Sequence, residues 1–340
     1  MQTVTRELLI ARACELLENG TVNRVFGWQK GQFDYDVTPA LFTSGEELEN
    51  SFLCNDFCGA NFSKYLIQDT AKEGRVLVFL KPCDTYSFNQ LLTEHRFDRE
   101  KVYAVGIPCD GMADIRLIEE TVGEGITGVD TEGETLVVHT LYDGDVQLNR
   151  ADYLAERCRV CKSKKHVAYD ELVGETGEVQ DSAKSDEAAR FTEVERLEAM
   201  TPDERFAFWQ NELSRCIRCN ACRDVCPACT CEKCVFGNPK SGVENKAAAD
   251  SFEEKMFHII RAFHVAGRCT DCGECSRVCP QHIPLHLLNR KFIRDIDLFY
   301  GEYQAGAEVG SRAPLVDYTE GDMEPGEAVA SVDERGGSHA

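Results

Sequence analysis

The chain has 340 residues, 18 of them cysteine, with 37 Lys and Arg against 59 Asp and Glu. The formal charge of -22 repels nucleic acid and anionic membrane surfaces, which excludes both as expected partners. An apolar share of 43% can fill a real core, and the length suits two domains or three.

The amino terminus, MQTVTRELLIARACELLENG, has no basic n-region, no continuous apolar run and no small-residue cleavage site, so a cytoplasmic location is expected. Leu8, Leu9, Ala11, Cys14 and Leu16 fall at roughly helical spacing and predict a first helix. No stretch reaches the ~18 apolar residues of a membrane span. Without a secretion signal, the cysteines read as metal ligands rather than structural disulfides.

The next strong signals are two apolar runs with the same ending. Val76–Leu80 leads into Lys81-Pro82-Cys83-Asp84, and Val102–Ile107 leads into Pro108-Cys109-Asp110-Gly111. Between them, TYSFNQLLTEHRF has a helical pattern. Short buried runs separated by a helix predict a β-α-β unit with parallel strands, each stopped by its proline. Cys83 and Cys109 should then lie just past the carboxyl ends of neighbouring strands, where open α/β sheets bind ligands. After the β-rich stretch ITGVDTEGETLVVHT comes the pair Cys158-x2-Cys161 in ERCRVCKSKKH. These four cysteines make a complete ligand set for a [4Fe-4S] cluster. The alternative is two turn cysteines beside a zinc-bound or metal-free C-x2-C pair. Lys162, Lys164 and Lys165 would offset the charge of such a site, or form a solvated face.

Residues 1–168 thus read as an α/β domain, and 169–190, acidic and poor in large apolar residues, as a linker. Thr201-Pro202-Asp203-Glu204 is a helix start, and that helix carries Phe206, Phe208, Trp209 and Leu213 toward Cys216. Residues 191–304 form the second domain, mainly helical. Within it, Cys216-x2-Cys219-x2-Cys222-x3-Cys226-Pro227 recurs as Cys269-x2-Cys272-x2-Cys275-x3-Cys279-Pro280. Three closely spaced thiolates wrap one cubane, while the cysteine before the proline serves the other cluster. The expected sets are Cys216, Cys219, Cys222 with Cys279, and Cys269, Cys272, Cys275 with Cys226. Paired zinc sites would favour two separated C-x2-C pairs instead.

The long gap between the motifs predicts an inserted helix, capped by Ser251 and Glu254, with Phe252, Met256, Ile259, Ile260 and Phe263 as its apolar stripe. Its expected role is packing, and His258, His264, His282 and His286 read as structural. Cys229, Cys231 and Cys234 are buried small hydrophobes, redox-sensitive thiols, or ligands of a further metal with Cys54 or Cys58 as the fourth donor. IPLHLLNRKFIRDIDLFY should close the second cluster site, and 305–340 reads as a flexible acidic tail. No residue stands out as catalytic: there is no P-loop, no G-x-G-x-x-G after a strand and no Ser/His/Asp arrangement.

The run VFLKPCDTYSFNQLL, then REKVYAVGIPCDGM, the paired cysteines and CIRCNACRDVCPACTC resemble the iron–sulfur subunits of anaerobic multi-subunit oxidoreductases. These include the iron–sulfur subunit of anaerobic sulfite reductase, the β subunit of sulfhydrogenases and, more distantly, the β subunits of deazaflavin-coenzyme hydrogenases and formate dehydrogenases. The resemblance spans about residues 70–290. It implies ligation by the twelve cysteines named above and electron relay between a flavoprotein or ferredoxin partner and a catalytic subunit. The pair here is C-x2-C where the sulfite-reductase type has C-x-C, and the insertion is longer. Some deazaflavin-type relatives bind flavin in the first domain, so FAD and a hydride carrier, deazaflavin or NAD(P)H, form the alternative function. No glycine-rich or basic phosphate site in this sequence argues for it.

Overall fold

The computed structural model describes residues 4–163, 165–174, 187–238, 240, 251–316 and 327, without the side chains of 187, 188 and 251–255. The chain divides into two compact units, Met1–Phe88 with His95–Glu187, and Asn89–Glu94 with Ala188–Ala340. No helix among the described residues is long and apolar enough to cross a membrane.

The first unit runs α1 (Arg6–Glu18), β1 (Arg24–Lys30), β2 (Val37–Phe42), α2 (Gly45–Ser51), β3 (Phe52–Leu53), α3 (Leu66–Asp69), β4 (Val76–Leu80), α4 (Pro82–Thr93), β5 (Val102–Gly106), α5 (Ile115–Val122), β6 (Ile126–Glu132), β7 (Thr135–Thr140), β8 (Asp145–Asn149), α6 (Glu156–Arg159) and β9 (Glu171–Leu172). The main sheet has the order β2-β1-β4-β5-β9, with β3 also paired to β1. Neighbours from β1 through β9 are parallel, and Val76 stands opposite Val102. Every residue of β4 is buried, which is why that run is apolar without alternation.

The expectation of a parallel sheet holds for that centre and fails at its edge. There β2 and β3 pair antiparallel with β1, because a short connection lets Val37–Phe42 fold straight back. The β-rich stretch forms a separate antiparallel sheet, β6-β7-β8. In α1 the buried residues are Leu9, Ile10, Ala13 and Leu16, while Leu8 is exposed, so the inner face is rotated from the predicted one. The expected linker at 169–190 also begins too early. Glu171–Leu172 pairs with β5, and Asp170 accepts a hydrogen bond from the Ala104 amide. Leu172 lies so close to Gly106 that a Cβ there would meet it at 2.5 Å. Residues 175–186 of that predicted linker lie outside the described residues.

A buried ion pair braces the loop after β5. Arg150 and Asp56 meet at 2.7 Å, both shielded from water. Arg150 also donates to the carbonyl of Gly111 at 2.9 Å. Gly111 itself has φ 104, a conformation that favours glycine, and a Cβ there would meet Leu154 at 3.1 Å. Burial raises the Asp56 pKa and Arg150 lowers it, and the carboxyl ends at about 2. Asp56→Ala should therefore lower stability by about 3 kcal/mol, since it strands a buried guanidinium. Chemical denaturation of the anaerobic protein checks this. A loss under about 1 kcal/mol would mean that Asp110, 3.3 Å from Arg150, takes over as partner.

The second unit carries α7 (Thr192–Glu198), α8 (Pro202–Ser214), α9 (Ala221–Asp224), α10 (Ser251–Val265), α11 (Glu274–Arg277) and α12 (His286–Tyr300). Helix α8 starts as its sequence predicts, with Thr201 as N-cap, Pro202 in the first turn and a capping box to Glu204. One core gathers Leu213, Phe236, Phe257, Ile283 and Leu285 around Cys222 and Cys275. The predicted flexible tail is packed at its start. Ala305 is buried, and the Gly310 amide donates to Thr93 Oγ1. Residues 317–326 and 328–340 of that tail lie outside the described residues.

Candidate metal centres

The two cysteine motifs impose the same backbone. Arg218 and Asp271 both have φ 58, and Asn220 and Gly273 have φ 65 and 66. Each motif therefore turns left-handed on both sides of its second cysteine and then enters a one-turn helix, α9 or α11. Three of these four residues have side chains, at a cost of order 1 kcal/mol each. The turn aims amide groups at sulfur, as where the Arg218 amide donates to Cys216 Sγ at 3.4 Å. In the second copy Asp271 is clamped by Arg190 at 2.9 Å and Arg290 at 3.2 Å. Burial raises the Asp271 pKa, and those guanidiniums lower it further than burial raises it.

The cavity at the first motif draws a cysteine from the second. Cys216, Cys219, Cys222 and Cys279 line it together, with Phe257 and Ile283 as apolar wall. Burial pushes the Cys222 thiol up, Arg261 pulls it down, and Cys279 and Cys219 raise it again. The other set is Cys226, Cys269, Cys272 and Cys275. The Cys226 thiol is raised first by its hydrogen bond with Cys229, then by burial, and Cys272 adds to the shift. Cys269 is raised by burial, Asp271 and Cys272, and Cys275 is pushed up to about 12 by burial, with Cys272 and Cys222 adding to it. None of the 18 cysteines forms a disulfide. Burial disfavours these groups as thiolates, and bound cationic metal would hold them deprotonated. Among the described residues no three Cys, His, Asp or Glu side chains converge on a single point. The first set instead encloses a space, as a four-iron cube requires. The donor sets fit two [4Fe-4S] groups.

Helix α12 lies against the second set, with Asn289 Nδ2 3.8 Å from Cys275 Sγ. Helix α10 differs from its prediction. Met256, Ile259 and Phe263 of the expected stripe are exposed, and the inner face presents Phe257, His258, Arg261 and Val265. The predicted cap at Ser251 and Glu254, and Phe252, lie among side chains outside the described residues. His258 Nε2 stands 3.3 Å from Cys216 Sγ, and Arg261 Nη1 donates to Cys222 Sγ at 3.3 Å. Burial, then Arg261 and Arg218, push the His258 pKa down to about 3, so the imidazole is neutral and can donate to sulfur. The sequence pattern assigns this helix to packing alone. The signal it hides is a histidine and an arginine on a face otherwise apolar.

In the first unit, Cys83 is the second residue of α4, directly after β4, and Cys109 follows β5 on the same sheet edge. Cys158 lies in α6 and accepts from the Met112 amide at 3.4 Å. The four thiols are electrostatic neighbours. Burial raises Cys83 most, then Asp84 and Cys161, with Cys109 adding to it. Burial pushes Cys109 up to about 12, with Cys158 and Cys161 contributing. Lys81 opposes both shifts, and Lys164 of the run at 162–165 lies outside the described residues. Lys81 is buried, pairs with Asp84 at 2.8 Å and lies 4.8 Å from the Trp28 ring.

Cys54 and Cys58 neighbour each other, and burial pushes Cys54 up to about 12. Cys229 packs on the core of Cys226, Ala228 and Val265, Cys234 packs on the core around Cys222, and Cys231 is exposed. Of the remaining histidines, His286 hydrogen-bonds Ser276 at 2.8 Å, and His264 is exposed.

Residues 212–283 match the 4Fe-4S dicluster domain family. The chain is 24% identical over 322 residues to the F420-dependent formate dehydrogenase subunit beta of Methanocaldococcus jannaschii, covering 79% of this chain and 84% of that protein. It is 23% identical over 278 residues to the F420-dependent formate dehydrogenase 1 subunit beta of Methanococcus maripaludis, covering 65% of this chain and 71% of the relative. A 75-residue segment is 33% identical to the putative ferredoxin-3 of Sinorhizobium fredii, covering 21% of this chain and 70% of that one.

Proposed function

We propose, from the premise that this chain belongs to the iron–sulfur subunits built on a 4Fe-4S dicluster domain, that it is the electron-transfer subunit of an oxidoreductase complex of the formate dehydrogenase or hydrogenase kind. The observation that carries this is the contact between the two thiol sets. Cys222 of the first and Cys275 of the second share one core, and Cys222 helps raise the Cys275 pKa. Groups held by those sets would be neighbours, as single-electron hopping needs. [4Fe-4S] clusters bound there supply one-electron chemistry.

The chain's own residues do the rest. Cys216, Cys219, Cys222 and Cys279 hold one group, and Cys226, Cys269, Cys272 and Cys275 hold the other. Amides in the left-handed turns donate to sulfur and lessen the negative charge there. Cys219 is exposed and Ile217 beside it is 49% exposed, so the first set reaches the surface where a partner's redox centre can approach. A third group is assigned to Cys83, Cys109, Cys158 and Cys161, with Lys81 beneath it. The catalytic subunit holds the substrate chemistry, and a flavoprotein or ferredoxin exchanges electrons at the other end, in the cytoplasm of an anaerobe.

Isolation under anaerobic conditions together with co-purifying subunits tests this reading. The expected result is a brown protein with about twelve iron and twelve sulfide per chain, four of each for every four-cysteine site. A colourless protein holding zinc overturns it.

A further inference from the structure

Five arginines of the described residues are buried: Arg24, Arg150, Arg190, Arg261 and Arg290. Four have a carboxylate. Arg24 pairs with Asp69, Arg150 with Asp56, and Arg190 and Arg290 with Asp271. Arg261 has none among the described residues. Its hydrogen bonds go to Cys222 Sγ at 3.3 Å, the Cys222 carbonyl at 3.1 Å and Cys229 Sγ at 3.8 Å, and its Nε is unpartnered. A guanidinium does not lose its proton in a protein, so this charge is permanent. An isolated buried charge costs several kcal/mol. Among the described residues, the side chains that accept from it are thiols, which as thiolates supply the counter-charge.

Those thiolates come from both sets. Burial opposes the charge on Arg261, while Cys222, then Cys229, Cys226 and Cys275, favour it. Cys222 belongs to the first set, and Cys226 and Cys275 to the second. Cys229 belongs to neither and hydrogen-bonds Cys226, so it extends the second set toward the guanidinium. We propose that Arg261 is a shared electrostatic positioning residue, one permanent positive charge between the two cluster sites that raises the reduction potential of both. The inference rests on the two-cluster reading of the second unit. Each reduction adds one electron, and one negative charge, to a site already rich in thiolate. A nearby cation stabilises the reduced form more than the oxidised one. Sharing it across two sites keeps their potentials close, which favours transfer in either direction. This explains why α10 buries an arginine where its sequence pattern offers apolar residues.

Arg261→Gln keeps hydrogen-bond donors and size but removes the charge. The experiment is an EPR-monitored redox titration of the full chain with dithionite as reductant, alongside iron and sulfide analysis. At full iron content, both midpoints should fall by at least tenfold in the equilibrium constant for reduction, which is 59 mV for one electron. Should Arg261→Gln bind less iron than wild type, Arg261→Lys is read instead. A single ammonium cannot fork between Cys222 and Cys229, so its two midpoints should move apart by at least threefold. Iron-replete Arg261→Gln with wild-type midpoints overturns the proposal, as do wild-type midpoints in Arg261→Lys when Arg261→Gln is iron-deficient. Failure of wild type itself to bind iron would instead overturn the two-cluster reading.

Discussion

Cys279→Ala will strip the group held by the first motif, although Cys279 belongs to the second. Iron and sulfide should each fall by about four per chain, with the second site intact. The reason is the crossing of the motifs. Cys279 lines one cavity with Cys216, Cys219 and Cys222, while its sequence neighbours Cys272 and Cys275 act on Cys226 and Cys269. Pro280, lining the same cavity, ends the motif there. Alanine leaves the first set with three thiolates, and the rest of the cavity wall offers no fourth thiol. Cys226→Ala should be the mirror experiment and strip the second group. EPR of the reduced protein distinguishes the two. If Cys279→Ala instead spares the first centre and abolishes the second, the ligand sets follow sequence order and the crossing is wrong.

The paired change Cys83→Ser and Cys109→Ser should cost about four more iron per chain and one EPR-active centre, leaving the dicluster signals unaltered. Both residues sit at the carboxyl edge of adjacent parallel strands, and the thiols of Cys158 and Cys161 act on them. Serine is nearly isosteric, so the fold around Lys81 and Asp84 should persist. Lys81 is held by Asp84 and by the Ala60 carbonyl, not only by sulfur. Iron content equal to wild type would remove the third site.

Much of this was legible from residue order. The triplet-plus-Cys-Pro spacing points to cluster type because x2 gaps bend the chain around a cube. The crossing then follows from the fourth cysteine facing away. The β4-α4-β5 unit was legible because buried parallel strands lose alternation, and prolines mark their ends. The start of α8 was legible because caps are local chemistry. Illegible were the antiparallel strands β2 and β3, whose pairing depends on what lies beside β1, and the short strand β9 inside an acidic stretch. Cys83, Cys109, Cys158 and Cys161 were identified as candidates by position, but their neighbourhood is a product of folding.

Helix α10 marks the boundary most clearly. Sequence by itself determined that residues near 251–265 form a helix and that thiolates flank it on both sides. Only the tertiary structure decided which face turns inward, and it turned the face bearing Arg261 and His258 rather than the more apolar one. Apolar periodicity measures the tendency to leave water. A helix beside concentrated negative charge answers to a stronger force, the need for a buried cation.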